Sequence, residues 1–520
     1  MPSIFGPAFT KGSPVPRIHT HDVLIVGAGA AGLTLALELA RRRLPFRLIE
    51  KLERPFAGSR GKGIQPRTQE VFEDLGVLDR VVAAGGVYPP QREYREDGTF
   101  TDSPSIDTSD ARPGEPYHLA LMVPQFLTEA VLRERLAELG HQVDFGHQLL
   151  AFEQDGDGVE ARVAGPRGEE LLRVRYLVGA DGGRSFVRRT LGIEFEGKTL
   201  GVRAVVADVV LRGLGRDAWH RFNDGSMERQ MSLCPLAGTE LFQLQAPVPM
   251  QGEVAVSAGA LNELVAGRTG RDDIVIDEVR WGSVYEMNAR LAQRYRVDRV
   301  LLIGDAAHTH PPTGGQGLNT SIQDACNLAW KLGAVLAGAP AALLDTYEEE
   351  RRPLAAEMLG MTRRLLQSTS QGTLKRGREV QQLDIGYAGS SLALDTRGPG
   401  RTLVAGDRAP DAACRGAAGQ PRRLFELFRG THWTLLCHGP VDAASRPMPR
   451  SGLHIHVLDA RGDIVDEGGE FQSSYGVEAG DWVLVRPDGY VGAMLAAGDA
   501  VTLEPYLRSV GLGLHTGTTA

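Results

Sequence analysis

The chain shows three hydrophobic patterns, and each predicts a different element. Short, nearly uninterrupted apolar runs at 22–26, 46–49, 176–180 and 299–303 have the form of strands buried on both faces, as in a parallel sheet. Longer runs at helical spacing accompany them. In 30–43, Leu33, Leu35, Leu37 and Leu39 cover more than one face, so this helix is expected to be buried. Residues 128–139 place Val131, Leu136 and Leu139 on an amphipathic helix. From Thr320, an apolar stripe of Ile322, Ala325, Leu328, Leu332 and Val335 predicts a long buried helix, with Thr320 or Ser321 as its cap. The strand, helix and strand over 22–50 begin a βαβ unit.

From about 200 to 285 the pattern changes to alternation, at 202–210, 241–248 and 274–284. Alternation predicts antiparallel strands with one wet face. The buried-strand pattern returns at 299, so the fold class is α/β, a nucleotide-binding domain interrupted by a domain with an antiparallel sheet. After about 400, a Pro/Gly-rich stretch leads into a last unit with strands expected at 433–436, 454–458 and 482–485. The division is an arm at 1–20, a first part at 21–195 and an inserted sheet domain at 196–285. A second part follows at 286–400 and a C-terminal domain at 401–520, and 90–118 is expected to contribute to the inserted domain.

Gly27, Gly29 and Gly32 stand between a strand and a helix, where a dinucleotide fingerprint belongs. Gly27 permits the tight turn, Gly29 lets backbone approach a pyrophosphate, and Gly32 lets helix pack on strand. The helix start, with Ala31, offers N–H groups to the anion. Glu50 ends the second strand, followed by Lys51, and is placed to accept a ribose hydroxyl. This motif does not separate NAD from FAD. The separating feature is Asp305 at the end of a strand, placed to bond ribityl hydroxyls. A backbone-rich loop through Gly317, Leu318 and Asn319 then feeds the long helix, whose amides and dipole would stabilise negative charge on a reduced flavin.

Composition narrows the class further. The chain has 520 residues, 42% hydrophobic and 23% charged, which excludes a disordered or fibrous protein. Its net charge of -8 argues against a nucleic-acid binder. Cys234, Cys326, Cys414 and Cys437 include no CxxC pair, so neither a disulfide framework nor a zinc site is expected, and a reducing cytoplasm fits. The best membrane-span stretch, 328–344, carries Lys331.

With Ser59, Arg60, Gly61, Asp181 and Gly182 added to these motifs, the chain over roughly 20–400 resembles the class A flavoprotein aromatic hydroxylases, which include p-hydroxybenzoate hydroxylase and phenol hydroxylase. The resemblance implies a Rossmann-like FAD domain, with Arg60 and Gln125 among the FAD contacts. It implies that Asp181 and Gly182 lie where both FAD and NAD(P)H bind. The final unit looks like the thioredoxin-like tail of the phenol and aromatic-polyketide hydroxylase branch. The implied activity is hydroxylation of a phenolic or polycyclic, polyketide-type aromatic through a flavin hydroperoxide, with non-covalent FAD, NADPH or NADH, and O2. A Baeyer–Villiger oxygenase on the same scaffold is the first alternative, and a non-catalytic flavin-binding regulator the second.

The resemblance assigns no catalytic base; Tyr285 is the candidate. Phe222, Met227, Met231, Phe242 and Trp281 are candidates for the substrate pocket, although core packing explains each as well. His308 and His310 lack a visible third ligand, so no metal is expected. The expected partner is a small aromatic substrate, with no nucleic acid and no membrane, and a homodimer is left open.

Overall fold

The computed structural model describes residues 19–95, 97–106, 112–222, 226, 228–311, 315–370, 378–440 and 447–513, excepting the side chains of 19, 20 and 361–370. The expected arm, but for its last two residues, and Met227 lie outside these. Three large sheets organise the chain.

The first sheet is parallel at its centre. Val300–Leu302, Gly168–Gly179, His19–Val26, Phe46–Glu50 and Asp144–Phe145 lie side by side in that order. Register matters most here. Val26 is opposite both Ile49 and Gly179, and Gly179 is opposite Leu302. The carboxyl ends of four strands are therefore level, and the turns after them open on one edge, where open α/β sheets bind ligands. Helix Ala30–Arg41 returns across this sheet, with Leu33, Leu35, Leu37 and Leu39 all fully buried.

Two helices start earlier than their apolar patterns suggested. One spans Gln125–Glu138 rather than 128–139. The other, Gln316–Leu336, begins four residues before Thr320. Gly315, at φ 65°, turns the chain into it, so neither Thr320 nor Ser321 is the cap. Both lie inside the helix, where Ser321 Oγ donates back to the Gly317 carbonyl at 2.8 Å. Likewise, the strand expected at 176–180 begins at Gly168, because its first half forms a hairpin with Val159–Gly165.

The second sheet runs His308–Thr309, Val275–Ala292, Phe195–Arg212, Phe242–Val248, Met231–Pro235, Trp219–Phe222, Gln91–Tyr94 and Phe100–Ser103. It thus takes in two short strands from the 90–118 region. It also passes the expected limits of 196 and 285, since Phe195 pairs with Ala292 and Leu291 with His308. The predicted wet face is absent at Ala204–Val209, which is buried continuously. One side packs with Leu261 and Val265 of helix Ala258–Thr269, and the other carries Asp208 to the loop at Ser59.

The third sheet is mixed. Trp433–His438 is parallel to Leu453–Leu458 and antiparallel to Trp482–Val485. Leu394–Asp395 joins it, so the unit begins before 401. It shares a core with the first sheet: Trp330 meets Trp433 edge to face, at 5.2 Å between centroids. Beside them Arg486, Lys331, Glu350 and Asp488 form a buried ion network, with Arg486 to Glu350 at 2.7 Å and Lys331 to Glu350 at 2.7 Å.

Candidate functional site

The turns at the level edge of the first sheet enclose one cleft of about 1570 Å³, whose far wall is the second sheet. Gly27 sits at φ 106°, and a Cβ there would fall 2.4 Å from the Ala180 carbonyl oxygen. A Cβ on Gly32 would fall 1.9 Å from the Gly27 carbonyl oxygen. Both positions admit only glycine, and Gly32 acts by packing, since it does not line the cleft. Gly29 is the helix N-cap and makes no side-chain cap bond, so the turn keeps its anion-accepting character. Glu50 accepts from the Ala28 N–H at 2.9 Å and the Leu52 N–H at 3.0 Å. Gly27, Gly29, Ala31, Glu50, Lys51, Arg60, Gln125, Asp181, Gly182, Asp305, Gly317 and Leu318 all line the one cleft.

Asn319 does not. It is fully buried and pins the helix start to the 63–65 segment, accepting from the Gln65 N–H at 2.8 Å and donating to the Gly63 carbonyl at 2.8 Å. Its place is behind the cleft wall. Phe222 and Met231 line the cleft as expected, but Phe242 and Trp281 do not. Successive strand residues face opposite ways, so Gln243 faces the cleft and Phe242 turns into the core under Arg216. Trp281 is covered by the 56–60 segment: Phe56 packs edge-on at 5.3 Å, and Arg60 lies over both rings. Tyr285 lines the cleft, and burial pushes its pKa up to about 12, which makes it a neutral phenol rather than a base.

Two carboxylates stand near the glycine-rich turn in the cleft. Asp181 Oδ2 accepts from the Phe186 and Val187 N–H groups at 2.7 and 3.1 Å, while its buried Oδ1 has no partner among the described residues. Asp305 is exposed on the cleft floor; enclosure raises its pKa, against the pull of His308 and Arg60. An unpartnered acceptor, an N-cap without a side-chain bond and open space beyond the α-carbons of Gly182 and Gly317 fit a polyhydroxylated dinucleotide such as FAD.

Several cleft residues lie outside the sequence motifs. Glu129 is buried at the glycine-rich turn, where it accepts from Gln125 Nε2 at 2.8 Å and from the Ala30 N–H. Burial raises its pKa to about 7, against the opposing effects of Gln125, Arg133 and Ala30. Behind the far wall, fully buried Asp208 accepts from the Ser59 N–H at 2.8 Å, and Gln243, which lines the cleft, donates to Ser59 Oγ at 2.7 Å. Lys62 Nζ donates to Gln243 Oε1 at 2.5 Å and sits 4.4 Å from the Trp219 ring centre. Arg221 donates to Gln91 Oε1 at 2.7 Å. The usable signal was the glutamine pair Gln243 and Gln245 inside an otherwise apolar strand.

Taken together, this is a dinucleotide-binding α/β protein whose inserted sheet forms the far wall of the cleft at the strand ends. Residues 20–362 match the model of the family described as FAD binding domain, and residues 402–510 match that described as aromatic-ring hydroxylase, C-terminal. A flavin-dependent monooxygenase of Mycobacteroides abscessus is 42% identical over 94% of this chain and 100% of its own. The 12-dehydrotetracycline 5-monooxygenase/anhydrotetracycline 6-monooxygenase of Streptomyces rimosus is 36% identical over 91% of this chain and 94% of its own. The solved structure of the flavin-dependent monooxygenase PieE, in complex with FAD and substrate, superposes with a TM-score of 0.84 at 26% identity, covering 96% of this chain and 100% of that one. The chain belongs to the family of FAD-dependent aromatic monooxygenases related to the polyketide hydroxylases. Among the described residues no helix is long and apolar enough to cross a membrane, and no cluster could hold a metal.

Proposed function

We propose that the protein hydroxylates a phenolic, multi-ring aromatic of polyketide type, using non-covalent FAD and a nicotinamide co-substrate. One observation carries this reading. The glycine-rich turn and Asp305 share a single cleft of about 1570 Å³ with Trp219, Phe222 and Met231. That exceeds the roughly 300–1,000 Å³ typical of one drug-sized ligand, so there is room for a dinucleotide and a second molecule.

Gly27 and Gly29, with the helix start at Ala31, would hold the pyrophosphate, Glu50 a ribose, and Asp305 the ribityl chain. Bound FAD, once reduced, supplies the electrons that activate dioxygen, one oxygen atom entering the substrate and the other leaving as water. The chain's own residues orient and enclose. Phe222 and Met231 offer apolar area to the rings, and Lys62, held by Gln243 over Trp219, offers a cation to a phenolic oxygen. A phenolate so stabilised makes the ring electron-rich. Asp181 and Gly182, at the cleft rim, would meet the nicotinamide co-substrate.

The test is a panel of polycyclic phenols assayed for stimulated NADPH and NADH oxidation, with mass spectrometry and structure determination of the product. A ring-hydroxylated product is expected. An ester or lactone would replace hydroxylation by Baeyer–Villiger chemistry. Absence of stimulated oxidation across the panel would overturn the substrate class.

A further inference from the structure

The register of the second sheet sets three polar side chains side by side, and the oxygenation chemistry above uses none of them. Arg221 is directly opposite Ser232, and Ser232 is directly opposite Gln245. All three are half-buried and line the cleft. Leu233 and Leu244, their neighbours along the strands, are fully buried in the core on the other face. Opposed residues on adjacent strands share a face, so the row runs across the strands in steps of about 4.8 Å. Beyond Gln245 it meets apolar Val206.

Donors and acceptors of fixed kind give this row a direction. Lys62 Nζ can only donate, and the Ser59 carbonyl can only accept. Between them they set the Gln243 amide, with its Oε1 toward Lys62 and its Nε2 toward Ser59. Gln245 Nε2 donates to that same Oε1 at 2.9 Å. The Oε1 of Gln245 is thereby left as an acceptor on the cleft. Ser232 Oγ can donate or accept. Arg221, which gives one donor to Gln91 Oε1 at 2.7 Å, can only donate. From Gln245 to Arg221 the row reads acceptor, either, donor.

We propose that this row recognises one oxygenated edge of the substrate, with a hydroxyl facing Gln245 and a carbonyl or ionised oxygen facing Arg221. The proposal rests on the polycyclic aromatic reading above and narrows it. One step of the row, about 4.8 Å, is also about the distance between alternate rings of a linearly fused system. Oxygens on alternate rings of one edge therefore fall in step with the row, and the fused system lies with its long axis across the strands. Oxygens divided between opposite edges cannot all face it. An edge without oxygens would cover these groups and leave them unpaired, which costs binding. A wall that only excluded water would need no such order of donors and acceptors.

Three isomers of dihydroxyanthraquinone, equal in composition, separate this recognition from hydrophobic area. The 1,8 isomer carries the hydroxyls of both outer rings on one edge, about one step of the row apart. The 1,5 and 1,4 isomers divide them between opposite edges. Dissociation constants are measured on the full FAD-loaded chain from the visible absorption of each ligand. The 1,8 isomer is expected to bind about tenfold more tightly than either of the others. Ser232→Ala and Gln245→Met should each bring the three isomers within about twofold of one another while FAD content is kept. Equal affinities in the wild type, or a preference for the 1,8 isomer that survives both substitutions, would overturn the row and leave the polycyclic class standing. Failure of all three isomers to bind would overturn the polycyclic class, and the row with it.

Discussion

The two walls of the cleft are built on opposite principles. The edge of the first sheet works through backbone: three glycines, one helix terminus and strand ends brought level by register. The wall of the second sheet works through side chains that converge from far apart, Ser59 meeting Asp208 across 149 positions and Gln243 across 184. Fixed requirements such as a pyrophosphate are met by backbone, which every substitution at a given turn must respect. A variable requirement such as a ring system is met by side chains, which can change without altering a turn. The first wall should therefore fail abruptly on substitution and the second by degrees.

The largest effect is expected at Gly27. Alanine there meets a positive φ, worth about 1–3 kcal/mol of strain, and a forced contact worth about 1–3 kcal/mol more. Gly27→Ala should lose FAD and melt earlier, read by flavin content of the purified protein and by calorimetry. A variant that retains FAD at wild-type levels would deny that backbone closeness builds this wall.

The same contrast explains what was legible in the sequence. The strand–glycine–helix order, Glu50 and Asp305 are local patterns, readable because the elements they need are consecutive. The shared cleft followed from them. Pocket residues are legible only in part: Phe222 and Met231 line the cleft, but a strand's pleat decides which neighbour faces in. Phe242 and Gln243 are adjacent, and hydrophobicity points to the first although the second faces the cleft. Helix starts were misplaced for a related reason: at Gly315 a left-handed glycine, rather than a capping hydroxyl, opens the helix. The tail's strands were found, but its docking through Lys331, Glu350 and Arg486 joins three separate stretches that no local pattern connects.

Glu129 breaks the contrast, since it is a side-chain acid set in the backbone wall, and it carries a pH signature. Its pKa is raised from 4.5 to about 7, so the folded chain holds a proton that the unfolded chain has lost between those values. Stability should thus fall as pH rises from 4.5 to 7, by about 3 kcal/mol in all, and level off above. FAD retention should weaken over the same range, because an ionised Glu129 repels the pyrophosphate. Glu129→Gln should flatten both profiles, measured by denaturant melts and FAD titration. An unchanged slope in the variant would assign the pH dependence elsewhere.

Next in size is Asp305→Ala, expected to weaken FAD by about 1.5–3 kcal/mol, the loss of a charged hydrogen-bond acceptor. The matching change on the other wall is Lys62→Met. It should leave FAD content untouched and raise KM for a phenolic substrate about tenfold, or 1.4 kcal/mol. If Lys62→Met releases FAD, or Asp305→Ala alters only KM for the substrate, the division of labour between the walls is wrong.

The smallest effect is expected at Tyr285, on the substrate wall. A phenol's pKa raised to about 12 by burial means that ionising it costs more in the folded chain than in the unfolded one. The folded chain therefore keeps this proton between 10 and 12 where the unfolded chain loses it, and stability falls only as pH climbs through that window. Between pH 6 and 9 the group is neutral in both states and contributes no titration. As a general base it would have to give up its proton near the working pH, which the burial opposes. Tyr285→Phe should accordingly leave the pH dependence of kcat/KM in place across pH 6 to 9 and change the rate only a few-fold, through lost packing or a lost hydrogen bond to substrate, about 0.5–1.5 kcal/mol. The measurement is a pH series of substrate-stimulated NAD(P)H oxidation for both proteins. Loss of a limb of the wild-type profile in the variant would restore Tyr285 as the proton acceptor.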